Sequence, residues 1–211
     1  NQLCICLVRI AKERDIKNKE KLESGEKTQV TLDIFTIPSH IKIMFGEFLK
    51  TPLYTEIATL RGHTDMVKCL TILKNKLYSA SNDKTIKIWD TETYELVATL
   101  RGHTNNVSCL ALHENKLYSG SDDNTIRIWT GTNTETYEEI SILRGHHHGV
   151  TCLTILKNKL YSGSLDCTVR VWNTETHELV ATLRGHTNNV SCLAAFGNKL
   201  YSGSNDKTIK I

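Results

Sequence analysis

The sequence contains little proline, few aromatic residues and no long hydrophobic run. Only two prolines occur in 211 residues, so glycine, serine, asparagine and aspartate must form most of the turns. The longest wholly apolar run, from Leu3 to Val8, is six residues long. A helix that crosses a membrane needs about 20 apolar residues, and we therefore predict no membrane span.

The sequence also lacks a strong excess of charge of one sign. Lysine and arginine number 26 against 23 aspartates and glutamates, for a formal net charge of +3. This balance gives no electrostatic reason to expect nucleic acid as the main partner. Hydrophobic residues make up 39% of the chain, which is enough for a folded core.

One tripeptide divides most of the chain into repeats. Arg-Gly-His occurs at 61–63, 101–103, 144–146 and 184–186, with spacings of 40, 43 and 40 residues. Residues 61–100 match 144–183 at 28 of 40 positions, and residues 101–128 match 184–211 at 22 of 28. Both matches are offset by 83 residues, which indicates that a unit of two repeats was duplicated whole.

Each repeat has the pattern of four β-strands. In the first repeat the strand-like segments are Val67–Leu73, Leu77–Ser81, Thr85–Trp89 and Leu96–Leu100. They are rich in β-branched and aromatic residues, as strands are. Asn75, in the first turn, is expected to take the left-handed conformation. Apolar residues at both odd and even positions of Val67-Lys68-Cys69-Leu70 predict a sheet that is covered on both faces.

Residues 1–52 do not match the repeat, and we place a boundary between them and the repeats of residues 53–211. Positions 9–27 hold twelve charges of both signs among nineteen residues, which is typical of an exposed helix or a solvated linker. The sequence assigns this segment no role. Leu53–Leu60 resembles Tyr94–Leu100, the last strand of a repeat, but the three strands that should precede it are absent.

The repeats resemble a known family. Gly-His near the start, the pattern Ser-x-Ser-x-Asp-x-Thr-Ile-x-Ile-Trp near the end and a length near 40 residues are similar to the blades of WD-repeat (WD40) β-propellers. The Trp-Asp dipeptide itself occurs once, at Trp89-Asp90, and the fourth copy reaches Ile211 before its Trp and last strand. The resemblance implies an all-β fold of four-stranded antiparallel blades, in an incomplete propeller of about four blades with a truncated last blade.

The resemblance also implies a hydrogen-bonded tetrad of His, Ser, Asp and Trp in each blade. By position the sets are His63, Ser79, Asp83 and Trp89; His103, Ser119, Asp123 and Trp129; His146, Ser162, Asp166 and Trp172; and, without a Trp, His186, Ser202 and Asp206. A buried indole N–H, imidazole and hydroxyl each need a partner, and a connected network satisfies them together. We expect these residues to fix the geometry of each blade.

The same residue types could indicate catalysis or a metal. A Ser-His-Asp triad would hydrolyse a substrate, but four copies at one spacing favour a structural role. His146-His147-His148 with Cys152 could bind zinc, yet His146 and Cys152 occupy repeated positions and no compact set of four ligands remains. No glycine-rich phosphate loop is present. We therefore predict no catalytic residue, no metal and no cofactor, and a protein that is not an enzyme.

Four of the seven cysteines recur with the repeat. Cys69, Cys109, Cys152 and Cys192 each lie six residues after the tetrad histidine. Such cysteines behave as small buried hydrophobes, and their spacing predicts neither a disulfide nor a metal site. Free cysteines without a visible signal peptide indicate a reducing compartment, so we predict an intracellular location, cytoplasmic or nuclear.

With no sign of catalysis, function is expected to lie in surfaces. The resemblance places the loops before strand one and between strands two and three on one face, the usual peptide-binding side. The side chains on that face that vary between copies are Asp65, Met66, Asn82, Asn105, Asn106, Asp122, His147, His148, Leu165, Asn188, Asn189 and Asn205. Mostly uncharged amides and histidines favour hydrogen bonding to an extended protein segment.

Three hypotheses of function follow. The first is a non-catalytic scaffold that binds partner proteins or peptides on this loop face. The second is a substrate-recruiting module of a larger enzyme such as a ubiquitin ligase or a kinase. The third, an enzyme that works within the propeller channel, is disfavoured because the sequence shows no cluster of unpaired acids or bases.

The number of blades raises the question of closure. Propellers have about four to eight blades, and four could leave an open arc that exposes two sheet faces and promotes self-association. Leu53–Leu60 could complete the last blade, either within one chain by ring closure or in trans. Two chains could then share an eight-bladed ring, whereas a severed fragment would aggregate.

Overall fold

The computed structural model describes residues 56–131 and 136–211. The predicted boundary at residue 52 and the segment before it lie outside the described residues. Fifteen strands and no helix occur in the two described segments. No helix there is long and apolar enough to cross a membrane.

The strands form four antiparallel sheets, each a meander in chain order. Sheet 1 contains β1 (Val67–Leu73), β2 (Lys76–Ser81), β3 (Thr85–Asp90) and β4 (Leu96–Arg101); sheet 2 contains β5 (Val107–His113), β6 (Lys116–Ser121), β7 (Thr125–Gly131) and β8 (Tyr137–Arg144). Sheet 3 contains β9 (Val150–Leu156), β10 (Lys159–Ser164), β11 (Val169–Asn173) and β12 (Leu179–Leu183); sheet 4 contains β13 (Val190–Phe196), β14 (Lys199–Ser204) and β15 (Ile209–Lys210). The all-β fold of four-stranded antiparallel units is confirmed.

The tight turns require left-handed backbone at one residue each, and the residue differs from the one expected. In the turn between β1 and β2 it is Lys74, at a φ of 54°, and not Asn75. In the corresponding turn of sheet 4 it is Gly197, at 60°. Glycine reaches this region without steric penalty, so only sheet 4 forms this turn without strain on a β-carbon.

A β-bulge explains why the first strand of a repeat is apolar at both odd and even positions. Val67 pairs with Ser81 and Cys69 pairs with Ala80, so one extra residue lies in β1 between the two pairs. The same shift occurs at the start of β5 and of β13. Since a bulge reverses the alternation of side chains, the apolar residues before and after it reach opposite faces of the sheet.

The sheets stack face to face in chain order and meet mainly through β1, β5, β9 and β13. The core between sheets 1 and 2 contains Tyr78, Ala80, Ile86, Ile88, Leu100, Val107, Leu110, Leu117 and Trp129. The core between sheets 2 and 3 contains Cys109, Tyr118, Ile126, Ile128, Leu143, Val150, Leu160 and Trp172. Full burial of a valine, leucine or isoleucine side chain stabilises the fold by about 1.5–3 kcal/mol.

Glycine allows two of these junctions to close. A β-carbon at Gly120 would lie 2.6 Å from Val150 Cγ1, and one at Gly163 would lie 2.7 Å from Val190 Cγ1. Both distances are shorter than real contacts of a β-carbon. The valine of the following sheet therefore fits over a glycine of the preceding sheet, and a larger residue there would push the two sheets apart.

The four sheets of residues 56–131 and 136–211 form an open arc and not a closed ring. Sheets 1 and 4 are the ends of the arc, and sheet 4 has three strands in the described part of the chain. Residues 56–60 form no strand, so the prediction that Leu53–Leu60 completes sheet 4 by closure within the chain is wrong for the described part of that segment. A strand needs a neighbouring edge to bond, and sheet 4 lies at the other end of the arc. The alternative in trans stays a prediction.

Candidate interaction surface

A chain of hydrogen bonds joins the loop before β5 to the middle of sheet 2. His103 Nδ1 lies 2.7 Å from Asp123 Oδ2, and His103 Nε2 lies 2.8 Å from Ser119 Oγ. Trp129 Nε1 donates to the same Ser119 oxygen at 2.9 Å. All three side chains of His103, Ser119 and Trp129 are buried, so each polar atom finds its partner inside the protein.

The structure forms the same connections in the other sheets. In sheets 1 and 3 the bonded sets are His63, Ser79, Asp83 and Trp89, and His146, Ser162, Asp166 and Trp172. In sheet 4, His186 bonds Asp206 and Ser202 at 2.7 and 2.9 Å. Each residue that the resemblance assigns to a set thus lies within hydrogen-bonding distance of its neighbours in that set.

The partners of His103 set the direction of proton donation, because the Asp123 carboxylate can only accept. Ser119 Oγ lies 2.8 Å from His103 Nε2 but 3.5 Å from the Arg127 carbonyl, so the hydroxyl proton points to the imidazole. Nε2 is then the acceptor, and Nδ1 carries the proton that it donates to Asp123. Burial alone would raise the pKa of Asp123, but hydrogen bonds from His103 and Thr125 outweigh it and lower the pKa well below its usual value.

Each set contains the residue types of a hydrolytic triad, His, Ser and Asp, but its serine is not exposed as a nucleophile would be. Ser79, Ser119 and Ser162 are buried, and each accepts a hydrogen bond from a tryptophan. A serine nucleophile must instead reach the substrate carbonyl. Among the described residues, no group of three or more His, Cys, Asp and Glu side chains is placed to hold a metal ion.

We expect acid to destabilise the fold in two steps. Burial lowers the pKa of His146 below its ordinary 6.5, so the folded state binds fewer protons there than the unfolded state does. Stability is therefore full above about pH 6.5 and falls as the pH drops through that range. The lowered pKa of Asp123 and of Asp166 adds a second loss, which begins as the pH falls below their ordinary 3.8.

The melting temperature, measured between pH 8 and pH 3, checks this expectation. Asp166→Asn keeps an oxygen acceptor but cannot titrate, so its melting temperature should fall less steeply than that of the wild type below pH 4. A wild-type melting temperature that stays constant between pH 7 and pH 5 would contradict the first step.

The tetrad aspartate also fixes two loops at one rim of each sheet. Asp123 Oδ2 accepts the backbone N–H of Thr104 at 3.0 Å, and Asp123 Oδ1 accepts the N–H and the hydroxyl of Thr125. The backbone N–H of Asp122 donates to the Asn106 carbonyl at 2.9 Å, which joins the two loops directly. The same backbone bond links Met66 to Asn82 in sheet 1, Gly149 to Leu165 in sheet 3 and Asn189 to Asn205 in sheet 4.

We call the surface formed by these loop pairs the loop face. Its exposed candidate residues are Asp65, Met66, Asn105, His147, His148, Leu165, Asn188 and Asn205, and its half-buried ones are Asn82, Asn106, Asp122 and Asn189. Several of the polar members cap their own loop, as Asn105 and Asn188 each accept the next backbone N–H. Their side chains therefore shape the loops as well as face the solvent.

The loops of sheets 2 and 3 come together in the middle of this surface. Asn124 Nδ2 donates to the His147 carbonyl at 3.3 Å, across the junction. A β-carbon at Gly149 would lie 2.9 Å from Asp122 Oδ1 and 3.4 Å from Leu165 Cδ1. We call Asp122, His147, Gly149 and Leu165 the central patch.

The central patch combines an apolar side chain with a fixed carboxylate. Leu165 is 39% exposed, and the Asp122 carboxylate is held by Asn106 Nδ2 at 3.1 Å and Ser108 Oγ at 3.2 Å. Gly149 and Asn124 were missed by sequence reasoning. Gly149 could have been found, because the other copies have Met66, Asn106 and Asn189 at its position and only a glycine permits so close an approach.

Comparison with known proteins supports the assignment of the repeats. A family model described as "WD domain, G-beta repeat" matches residues 54–90, 94–130, 137–173 and 177–211. A curated protein of Emericella nidulans, "Probable E3 ubiquitin ligase complex SCF subunit sconB", is 57% identical over 37 residues. That match spans 18% of this chain and 6% of the curated relative.

Solved structures share the fold over a longer stretch. The computationally designed Ika4 protein has a TM-score of 0.68 and 34% identity, over 74% of this chain and 96% of the Ika4 chain. The designed Ika8 protein has a TM-score of 0.66 and 34% identity, over 72% of this chain and 46% of its own. The RRP9 WD40 repeats have a TM-score of 0.66 and 28% identity, over 71% of this chain and 48% of theirs.

Proposed function

The chain belongs to the WD-repeat family, and from this premise we propose that it is a non-catalytic scaffold whose loop face binds an extended segment of a partner protein. WD-repeat folds support protein interaction. The observation that carries the proposal is the central patch, where the loops of two sheets meet around Leu165. Loops held on a rigid frame are well suited to binding because they lose little entropy when a partner docks.

The chemistry of the central patch defines the partner. An exposed leucine favours an apolar side chain of the segment, and a carboxylate that is already held in place favours a hydrogen-bond donor beside it. The amides along the rest of the loop face offer donors and acceptors to an extended backbone. We therefore infer a segment with one apolar anchor flanked by polar residues.

Substitution of Leu165 tests this function. A library of random linear peptides is selected on the 211-residue chain, and the Kd of the selected peptides is measured by fluorescence anisotropy. Leu165→Ala is expected to weaken binding about tenfold or more, because it removes the apolar anchor.

Leu179→Ala is the matched control. Leu179 lies in the same sheet as Leu165 and is 43% exposed, but it belongs to β12 and not to the loop face. Its replacement should change Kd less than about twofold, as expected for an energetically neutral site. Selection of no peptide, or equal weakening by the two variants, would overturn the proposal.

The relative from Emericella nidulans favours a second candidate function, recruitment of substrates to a ubiquitin ligase. That relative is named as a subunit of such a complex, and the match of 37 residues is about the length of one repeat. This candidate uses the same loop face but requires that a bound segment be ubiquitinated when the ligase complex is supplied. A scaffold alone would leave the segment unmodified.

The cysteines support the proposal of a reducing compartment. Cys69, Cys109, Cys152, Cys167 and Cys192, the five in the described segments, are all free. Of the four at repeated positions, Cys109 is buried, Cys69 and Cys152 are half-buried and Cys192 is exposed, so the expected burial holds only in part. Free thiols at repeated positions fit an intracellular protein, cytoplasmic or nuclear.

A further inference from the structure

The third strand of each four-stranded sheet carries a cation two residues before its tryptophan. The three residues are Lys87 in β3, Arg127 in β7 and Arg170 in β11. Residues two apart in a strand lie on the same face, and Trp129 and Trp172 pack in the cores against the preceding sheets. Arg127 and Arg170 therefore face the preceding sheet as well. A cation that is taken out of water in this way needs a partner.

Two of the three cations have a partner on the fourth strand of their own sheet. Lys87 Nζ donates to Thr99 Oγ1 at 3.1 Å in sheet 1, and Arg127 Nη1 donates to Glu139 Oε2 in sheet 2. A carboxylate suits a guanidinium best, because the two planar groups match in shape and charge. Sheet 2 therefore shows the complete arrangement.

Arg170 of sheet 3 lacks such a partner. It is 8% exposed, and its Nε is buried without an acceptor. Within the described segments its side chain makes no hydrogen bond and no ion pair. Burial is the main cause that lowers the pKa of His146, and the positive charge of Arg170 adds to this effect. Sheets 2 and 3 both have four strands, so an incomplete sheet is not the reason.

One difference between the repeats accounts for the missing partner. Leu179 of β12 pairs with Trp172, as Glu139 of β8 pairs with Trp129. Both ladders have a register shift directly before the tryptophan, so the two positions are equivalent. A leucine side chain offers no acceptor, and the fourth strand of sheet 3 therefore leaves the charge of Arg170 without a counterion.

The acidic residues before β12 do not take over this role. Glu175 Oε1 accepts a hydrogen bond from Asn158 at 2.7 Å, and Glu178 Oε2 accepts one from Thr176 at 3.2 Å. Both carboxylates are thus held by groups other than Arg170. An acceptor for this cation must come from outside the described part of the chain.

Two glycines mark the place where such an acceptor would bind. A β-carbon at Gly102 would lie 2.8 Å from Arg127 Nη1 and 3.1 Å from Glu139 Oε2. A β-carbon at Gly145 would lie 2.7 Å from Arg170 Nη1, and no carboxylate oxygen comes as close there. The carboxylate of Glu139 therefore shows where an anion meets this pair of guanidinium and glycine backbone.

We propose that Arg170 binds the carboxylate of a glutamate or aspartate of a partner protein, in the position that Glu139 occupies on Arg127. The site shares no residue with the central patch. It does not depend on the function proposed for the loop face.

The occupant is a protein segment and not a free small acid. Leu179 is 43% exposed, and Arg144, which precedes Gly145, is exposed as well, so the outer side of the site is open. One ion pair at an open rim holds a small ion weakly. The outer edge of β12 bonds no other strand in the described residues, so an extended segment gains backbone hydrogen bonds there in addition. The charge of Arg144 favours an acidic segment.

Peptide selection tests the proposal on the 211-residue chain. Random peptides with one fixed glutamate are selected on the wild-type chain after removal of those that also bind Leu179→Glu. This variant places a carboxylate at the position equivalent to Glu139, so it should pair with Arg170 and exclude the partner's acid. Peptides are expected to survive this step. If none survives, the proposal is wrong.

Leu179→Gln is the matched control for Leu179→Glu, because it has the same shape without the charge. It replaces an exposed side chain and should change the Kd of the selected peptides less than about twofold. If Leu179→Gln removes binding as completely as Leu179→Glu does, the loss of the leucine is the cause, and the assignment to Arg170 fails.

Arg170→Gln tests the ion pair itself. It removes a charge without a partner, so the melting temperature should not fall. The Kd, measured by fluorescence anisotropy, is expected to rise about tenfold or more. Glutamine in place of the fixed glutamate of the peptide should cost the same factor on the wild-type chain and no further factor on Arg170→Gln. Equal binding to Arg170→Gln and wild type, or two independent losses, would overturn the proposal.

Glu139→Leu tests the equivalence of sheets 2 and 3. It gives Arg127 the surroundings of Arg170, so titration calorimetry should detect a second, weaker site for the peptide. Glu138→Leu removes the neighbouring exposed carboxylate instead and should create no second site. A single site on Glu139→Leu would contradict the use of Glu139 as the template for the partner's acid.

Glutarate distinguishes a free small acid from a protein segment. At millimolar concentration it is expected to leave the melting temperature of the wild-type chain unchanged, because one ion pair at an open rim is weak. A rise that Arg170→Gln abolishes would show that a free acid fills the site, and a protein partner would then be the wrong assignment.

Discussion

Replacement of Ser119 by alanine is expected to destabilise the fold strongly for the loss of a single oxygen atom. The change leaves two buried groups without partners, the indole N–H of Trp129 and Nε2 of His103. An unsatisfied buried polar group costs roughly 1–3 kcal/mol, so the two losses together should move the midpoint of urea unfolding markedly. Tryptophan fluorescence measures this midpoint, and the backbone of the variant is otherwise unaltered.

Sheet 4 provides the matched control for this variant. Ser202 is buried like Ser119, but its bond in the described structure is to His186, and no indole donates to it. Ser202→Ala removes the same atom and leaves one group unpaired instead of two. If the two variants unfold at the same urea concentration, the bond from the tryptophan contributes nothing to stability, and the argument for a cooperative network fails.

Replacement of Leu160 by alanine is expected to lower the free energy of unfolding by about 2–5 kcal/mol. Leu160 is fully buried in the core between sheets 2 and 3, with Tyr118 and Trp172. Its removal leaves a cavity that the rigid sheets cannot close, so lost hydrophobic burial and lost packing add together. The measurement is again the urea midpoint, at one protein concentration for all variants.

Leu179→Ala deletes the same atoms from the same sheet at an exposed position, and it should shift the free energy of unfolding by less than about 0.5 kcal/mol. A large loss for Leu179→Ala, or a negligible one for Leu160→Ala, would show that the face between sheets 2 and 3 is not the stabilising core.

The local structure of each repeat could be predicted because it depends on local patterns. Alternation along Thr85–Trp89 defines a strand without knowledge of its neighbours. The resemblance to WD-repeat blades implied that His103, Ser119 and Asp123 belong to one hydrogen-bonded set, and the repeat positions identified them. The left-handed turn residue was harder, because propensity favours Asn75 while the bond pattern of the turn puts Lys74 there.

The parts that could not be predicted depend on how separate sheets meet. Comparison of the copies can single out Gly149, but it does not show that Asp122 of the preceding sheet lies against it. Ring closure could not be predicted from the sequence either. Residues 56–60 have the composition of a strand, but a strand forms only where a neighbouring edge is within reach. Contacts of this kind are fixed by the curvature of the stack and not by any one repeat.

The cysteine at the repeated position can report on the opening of the junction between two sheets. Burial raises the pKa of Cys152 to about 11 and holds that of Cys109 well above its usual range. Only a thiolate reacts rapidly with an alkylating reagent. The rate of alkylation at these two cysteines therefore measures how often the junction between two sheets opens. Cys192, at the same position of sheet 4, is exposed in the described structure, so it is the open reference against which a mass spectrum compares the other two sites.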